Sequence, residues 1–324
     1  MTKKFENIRT GVIGVGSMGQ NHARVYSEIS NLIGVSDVNE VQGRKIAKKF
    51  GVKWYQNHHD LLKVVDAVSI AVPTDFHLDV SLAAIKQDVG ILVEKPLSNN
   101  ALDSRKIVKE AITSGVSLSV GHIERYNPAI TFCKKSLEDG SWGELLSLSS
   151  KRLSNFPERI KDVGVVFDIA IHDLDISNFL ANSIVKKVNA VGGSKLNVQN
   201  DHVSIIMEYE NNISSHIEAN WLTPTKVREL NLVCSKAFVT VDYMEQTVTV
   251  KRLKNIKLEP HNLWNTEFDF DLEYPSIKKM EPLMLEISDF LSSIQNNVEP
   301  LVTGSESVYN VELAELITQQ ISNL

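Results

Sequence analysis

The 324 residues carry 34 Lys and Arg against 40 Asp and Glu, a formal net charge of -6, with 43% hydrophobic residues, 16 Gly and 9 Pro. This is an ordinary globular composition that excludes a collagenous or disordered chain. At this size about three-quarters of the unfolded surface is buried, in one large domain or two ordinary ones. The basic residues are scattered. Their densest runs, Arg44 to Lys49 and Lys251 to Lys254, are broken by apolar residues, so neither nucleic acid nor an anionic membrane is indicated as a partner. Cys133 and Cys234 are too few for a disulfide framework, have no metal-ligand spacing, and favour a reducing compartment. Met1 to Thr10 lacks an apolar signal core, and no run reaches the roughly 18 apolar residues of a membrane span. A cytoplasmic protein is expected.

The first 120 residues alternate short apolar runs with helical patterns. The expected strands are Ile8–Val15, Leu32–Asp37, Val65–Val72, Gly90–Glu94 and Val116–Val120. Between them fall helices over Met18–Ile29, Glu40–Phe50, Asp75–Gln87 and Ala101–Ser114. Strands separated by helices pair in parallel through right-handed crossovers, which makes residues 1–121 a doubly wound α/β domain. After Gly121 the rhythm changes, and residues 122–324 read as a second, α+β domain. Helices are expected over Pro128–Leu137 and Val165–Leu180, with strand Leu145–Leu153 and an irregular stretch through Phe156 and Pro157 between them. Strands then follow without intervening helices: Val185–Val191, Val203–Tyr209, Ile213–Trp221, Val227–Val233, Ala237–Tyr243 and Thr247–Lys251. In Ile213–Trp221 the residues Ile213, Ser215, Ile217, Ala219 and Trp221 share one face, the signature of a half-buried strand. Such a run implies an open, mainly antiparallel sheet covered by helices on one face. Helices over Pro282–Ile294 and Glu306–Ile321 end the chain.

Gly14-Val15-Gly16-Ser17-Met18-Gly19 is a G-x-G-x-x-G between the first strand and the first helix. Glycines there permit close backbone approach, so that a pyrophosphate can rest on the helix N-terminus. Asp37, at the end of the second strand, suits the adenosine ribose hydroxyls and would repel a 2'-phosphate, while Val38 and Asn39 supply no cation. The expected cofactor is NAD. Pro73, Thr74 and His77, after the Val65–Val72 strand, and Glu94 with Lys95 are assigned to the same cofactor.

Glu94-Lys95-Pro96 lies at the C-terminal end of a parallel strand, the edge where ligands bind in open α/β sheets. Asp168, His172 and Asp175 fall at i, i+4 and i+7 of one helical pattern and so share a stripe. The stripe suits catalysis and equally a satisfied polar cluster; metal binding is not expected. His122 and Arg125-Tyr126-Asn127 occupy the domain junction, where clefts form, and are expected to contact substrate. Arg152, Arg159 and Lys161 precede the Asp168 helix and read either as a solvated loop or as recognition of an anionic group.

In this order the G-x-G-x-x-G, Glu94-Lys95-Pro96 and the Asp168-x-x-x-His172 pair resemble the Gfo/Idh/MocA oxidoreductases, the glucose-fructose oxidoreductase and inositol dehydrogenase family. The resemblance covers essentially the whole chain. It implies a Rossmann domain followed by an open-sheet domain used for oligomerisation, hence a homo-oligomer (dimer or tetramer). It also implies catalysis by Lys95, Asp168 and His172 and a cis Lys95–Pro96 peptide. Gly121 to Pro128, Arg159 to His172 and Trp221 to Arg228 look most like UDP-N-acetylglucosamine 3-dehydrogenases. The expected reaction is therefore NAD-dependent oxidation of a secondary hydroxyl on a sugar or nucleotide sugar, at C3 of UDP-N-acetylglucosamine. Arg159 and Lys161 would then pair with the diphosphate. Alternatives are a free-sugar or inositol dehydrogenase of the same family and a non-catalytic NAD-binding regulator.

Overall fold

In the first unit, apolar runs too short for helices become the strands of one parallel sheet. The computed structural model describes residues 4–156, 163–196, 198–257 and 267–322. The sheet contains β1 (Phe5–Ile13), β2 (Ser30–Ser36), β3 (Lys53–Tyr55), β4 (Ala67–Ile70), β5 (Gly90–Glu94) and β6 (Leu118–Gly121), ordered β3-β2-β1-β4-β5-β6. Every pairing in it is parallel. The order reverses between β1 and β4, and such a switch point opens a crevice at the C-terminal strand ends.

Helices α1 (Gly19–Ile29), α2 (Glu40–Phe50), α3 (His58–Leu62), α4 (His77–Ile85) and α5 (Ala101–Ser114) make the crossovers. Asparagines start three of them: Asn39 accepts from the Gln42 N–H, Asn57 from the His59 N–H and Asn100 from the Asp103 N–H. The sequence pattern does not reveal β3 or α3. A three-residue strand has no period to detect; its pairing with Gly34–Ser36 of β2 defines it.

The second unit runs from Glu124, through α6 (Pro128–Glu138) and α7 (Ile171–Ala181), into an eight-stranded sheet. Its strands are β7 (Leu145–Asn155), β8 (Val185–Gly193), β9 (His202–Tyr209), β10 (Ser214–Asn220), β11 (Leu222–Cys234), β12 (Phe238–Asp242), β13 (Thr247–Lys257) and β14 (Glu267–Glu273). Their order is β14-β13-β12-β11-β7-β10-β9-β8, antiparallel except where β10 pairs in parallel with β7. The period-two expectation holds: Ile213, Ser215, Ile217, Ala219 and Trp221 are all buried. On the alternate face Val191, Ile206, Val233, Phe238 and Leu253 are exposed.

The final segments depart from the expected boundary. Glu281–Glu315 groups with residues 1–123, not with the second unit. The apolar stripe of α8 (Pro282–Asn296) explains this: Leu283, Ile287, Phe290 and Leu291 share a core cluster with Val12, Val35, Ala23 and Tyr26. The remainder of α9 (Gly304–Ser322) belongs with the second unit, where the Gln320 amide accepts from the Ala190 N–H and donates to the Val188 carbonyl.

Candidate active site

At the end of β1 the chain turns with Gly14 at φ 83°, a conformation L side chains rarely adopt. A Cβ there would lie 2.6 Å from the Ala71 carbonyl oxygen, and one on Gly19 would collide with the Gly14 carbonyl. A Cβ on Gly16 would meet nothing within 4 Å. The first and last glycines thus draw strand, loop and helix together, while the middle one faces open space in front of α1. The Met18 side chain does not cap that helix, whose first turn bonds backward instead, the Gln20 N–H to the Gly16 carbonyl and the Asn21 N–H to the Met18 carbonyl. Asp37 closes the side of the loop: its carboxylate accepts from the Val15 N–H and the Asn39 N–H, both at 2.8 Å. A cradle of backbone donors with an acid beside it fits NAD, the pyrophosphate on Gly16, Ser17 and Met18 and the ribose against Asp37.

Beyond β4, Pro73 is exposed and Thr74 half-buried, whereas His77 is buried. The His77 ring nitrogens lie 2.9 Å from the Pro96 carbonyl and 3.0 Å from the Val72 carbonyl. Burial pushes its pKa down against the pull of these carbonyls. Its side chain ties the loop after β4 to the loop after β5.

Lys95 follows β5, is half-buried, and joins Pro96 through a cis peptide, as the resemblance implied. Behind it runs a buried chain of side chains that the sequence did not disclose. His22 Nε2 lies 2.9 Å from Glu94 Oε1, His22 Nδ1 lies 2.8 Å from Ser69 Oγ, and Tyr26 Oη lies 2.8 Å from the same Oγ. One set of proton positions uses every donor: Tyr26 to Ser69, Ser69 to His22, His22 to the Glu94 carboxylate. Glu94 Oε2 accepts in turn from the Lys95 N–H at 3.2 Å. Burial raises the Glu94 pKa, but the hydrogen bond from His22 and the charge of Lys95 outweigh it and hold the carboxyl below its ordinary value. The only early signal was His22 standing on the inward face of α1.

In the second unit the chain before α7 winds into a π-helical turn, Val166–Ala170, which carries Asp168. Such turns re-aim side chains and recur at functional sites. Asp168 and His172 are both half-buried. Asp175 is buried and pairs with Arg125, whose Nε and Nη2 donate to it at 2.9 and 2.7 Å.

His122, Arg125, Tyr126 and Asn127, expected to contact substrate, are all buried. Arg125 also stacks on Phe179, its guanidinium 4.9 Å from the ring centre. Asn127 caps α6 by accepting from the Ala129 N–H and donates to the Tyr243 carbonyl. Arg152 lies on β7, not in a loop, and is buried against Asp173 and Glu124. Arg159 and Lys161 lie outside the described residues.

No group of three or more potential metal-ligating side chains occurs among the described residues, and none of their helices is long and apolar enough to cross a membrane.

Comparison with known proteins accounts for this geometry. Residues 8–122 match the model of an oxidoreductase family with an NAD-binding Rossmann fold, and residues 130–240 match the GFO/IDH/MocA C-terminal domain. A UDP-N-acetylglucosamine 3-dehydrogenase of Acidithiobacillus ferrooxidans is 29% identical over 89% of each chain. A solved structure of that enzyme superposes with a TM-score of 0.89 over 98% of both chains. A scyllo-inositol 2-dehydrogenase (NAD(+)) of Bacillus subtilis is 25% identical over 98% of this chain and 94% of its own. Levoglucosan dehydrogenase in complex with NADH, at 18% identity and a TM-score of 0.84, shares the fold. With both of its domains matched, the chain belongs to the Gfo/Idh/MocA family of NAD-binding oxidoreductases.

Proposed function

We propose that the protein oxidises the C3 hydroxyl of UDP-N-acetylglucosamine to a ketone. The observation that carries this reading is the likeness to the UDP-N-acetylglucosamine 3-dehydrogenase along 98% of both chains. When bound, NAD supplies the hydride acceptor. His172 takes the hydroxyl proton, a task that suits an imidazole near neutral pH and contributes roughly 10²- to 10⁴-fold. Lys95, as ammonium, hydrogen-bonds the reacting oxygen and stabilises the negative charge that develops there. Asp168 orients His172 or holds a neighbouring hydroxyl. The Tyr26–Ser69–His22–Glu94 chain keeps the backbone at Lys95 in one place, so the ammonium need not reorganise during the reaction.

A second reading, oxidation of inositol or a free sugar, is favoured by the full-length likeness to the scyllo-inositol enzyme. NAD reduction by purified protein, followed with UDP-N-acetylglucosamine and with inositols, separates the two. Lys95→Ala and His172→Ala are each expected to lose about 10²-fold or more in turnover while keeping the wild-type melting temperature. Ordinary turnover in either variant overturns the assignment.

The protein acts as a homo-oligomer through the uncovered face of the eight-stranded sheet, a reading supported by Val191, Ile206, Val233, Phe238 and Leu253 exposed on it.

A further inference from the structure

Three cations and two carboxylates meet at one end of the second unit. Arg152 on β7 and Arg228 on β11 are directly opposite in register, an arrangement of like charges that costs stability unless something offsets it. Arg152 takes most of the available negative charge, donating to Asp173 at 2.6 Å and to Glu124 at 2.9 Å. Arg228 is left with the same Glu124 at 3.4 Å. Lys226 has no ion pair among the described residues and is exposed. Its pKa is pushed down first by the charge of Arg228, then by burial and by Arg152. Among the described residues the cluster therefore holds one positive charge more than its carboxylates neutralise.

Two further features aim this surplus outward. The pairing of β11 with β7 jumps from Leu222↔Asn155 to Val227↔Leu153, so the intervening residues, Lys226 among them, bulge out of the ladder. Bulges of this kind re-aim side chains beside functional sites. The Arg228 side chain keeps 28% exposure, so its outer edge reaches solvent. The cluster is also fixed to the candidate catalytic helix, because Asp173 directly follows His172 on α7.

From this juxtaposition we infer that Arg228 and Lys226 form an anion subsite that takes the diphosphate of a nucleoside diphosphate sugar. The inference rests on the nucleotide-sugar reading and gives it a specificity determinant that an inositol dehydrogenase would not need. A diphosphate supplies the negative charge the cluster lacks, and guanidinium and ammonium donors suit its oxygens.

Titration calorimetry with UDP and with uridine, on the full-length protein with NAD present, tests it. UDP is expected to bind at least tenfold more tightly than uridine, with an advantage that shrinks as salt is raised. Lys226→Ala is expected to cut that advantage about tenfold and Lys226→Glu to abolish it, with uridine affinity unchanged. Lys226 is exposed, so neither variant disturbs packing; Arg228→Lys, which keeps the charge, is expected to retain most of the advantage. Equal binding of UDP and uridine, or UDP affinity within twofold of wild type in both Lys226 variants, overturns the subsite. Turnover of UDP-N-acetylglucosamine that survives Lys226→Glu with unchanged KM defeats the subsite and leaves the reaction standing. UDP binding that obeys these expectations without any NAD reduction supports the subsite and defeats the reaction.

Discussion

Glu286 on α8 is fully buried, and neither of its carboxyl oxygens has a hydrogen-bond partner among the described residues. Burial, with the nearby charges of Glu94 and Asp289, pushes its pKa well above the ordinary 4.5. The fold therefore keeps the proton that the unfolded chain releases above pH 4.5. Stability from this group is fully present below that pH and declines as pH rises toward the folded-state value, at about 1.4 kcal/mol per pH unit. Glu286→Gln keeps the shape and removes the ionisation. It is expected to stabilise the protein more at pH 7 than at pH 4.5, the gap widening by at most about 1.4 kcal/mol per pH unit. Glu94, whose pKa is lowered, works in the opposite window: its contribution is present above its unfolded pKa and lost as pH falls through the folded one. Because Glu94 is common to both proteins, the difference between wild type and variant isolates Glu286. Urea unfolding midpoints measured from pH 4.5 to 8 provide the assay. Parallel stability curves, or a variant less stable than wild type at pH 7, would refute the reasoning.

Other outcomes follow from the same geometry. Asp175→Ala breaks the buried Arg125–Asp175 pair and is expected to cost about 3–5 kcal/mol, read as a lowered unfolding midpoint; an unchanged midpoint would mean that the pair contributes nothing to stability. Light scattering of the purified protein is expected to give a dimer or tetramer, with Ile206→Lys together with Phe238→Lys, both on the uncovered sheet face, shifting it toward monomer. A monomeric wild type would remove the oligomer reading.

Much was legible in the chain because it depended on local rules. Parallel crossovers follow from strand and helix alternation, Gly14 and Gly19 from the contacts a side chain there would make, and the buried face of β10 from a period of two. The motif around Lys95 could be placed at a strand end for the same reason. Side chains whose fate depends on distant partners were not legible. Arg125 looks like a substrate ligand until Asp175, fifty positions on, neutralises it; His22 looks like an ordinary helix residue until Ser69 and Glu94 enclose it. The π turn at Asp168 has no periodic signature, and α8 carries no mark of which sheet its apolar stripe will cover. Sequence by itself determined the two sheets and the dinucleotide cradle, and it placed Lys95 at a strand end and Asp168 and His172 on one stretch of chain. Tertiary structure decided which charged groups are buried in pairs and which remain open, because the cost of burying a charge is set by partners that only folding brings near.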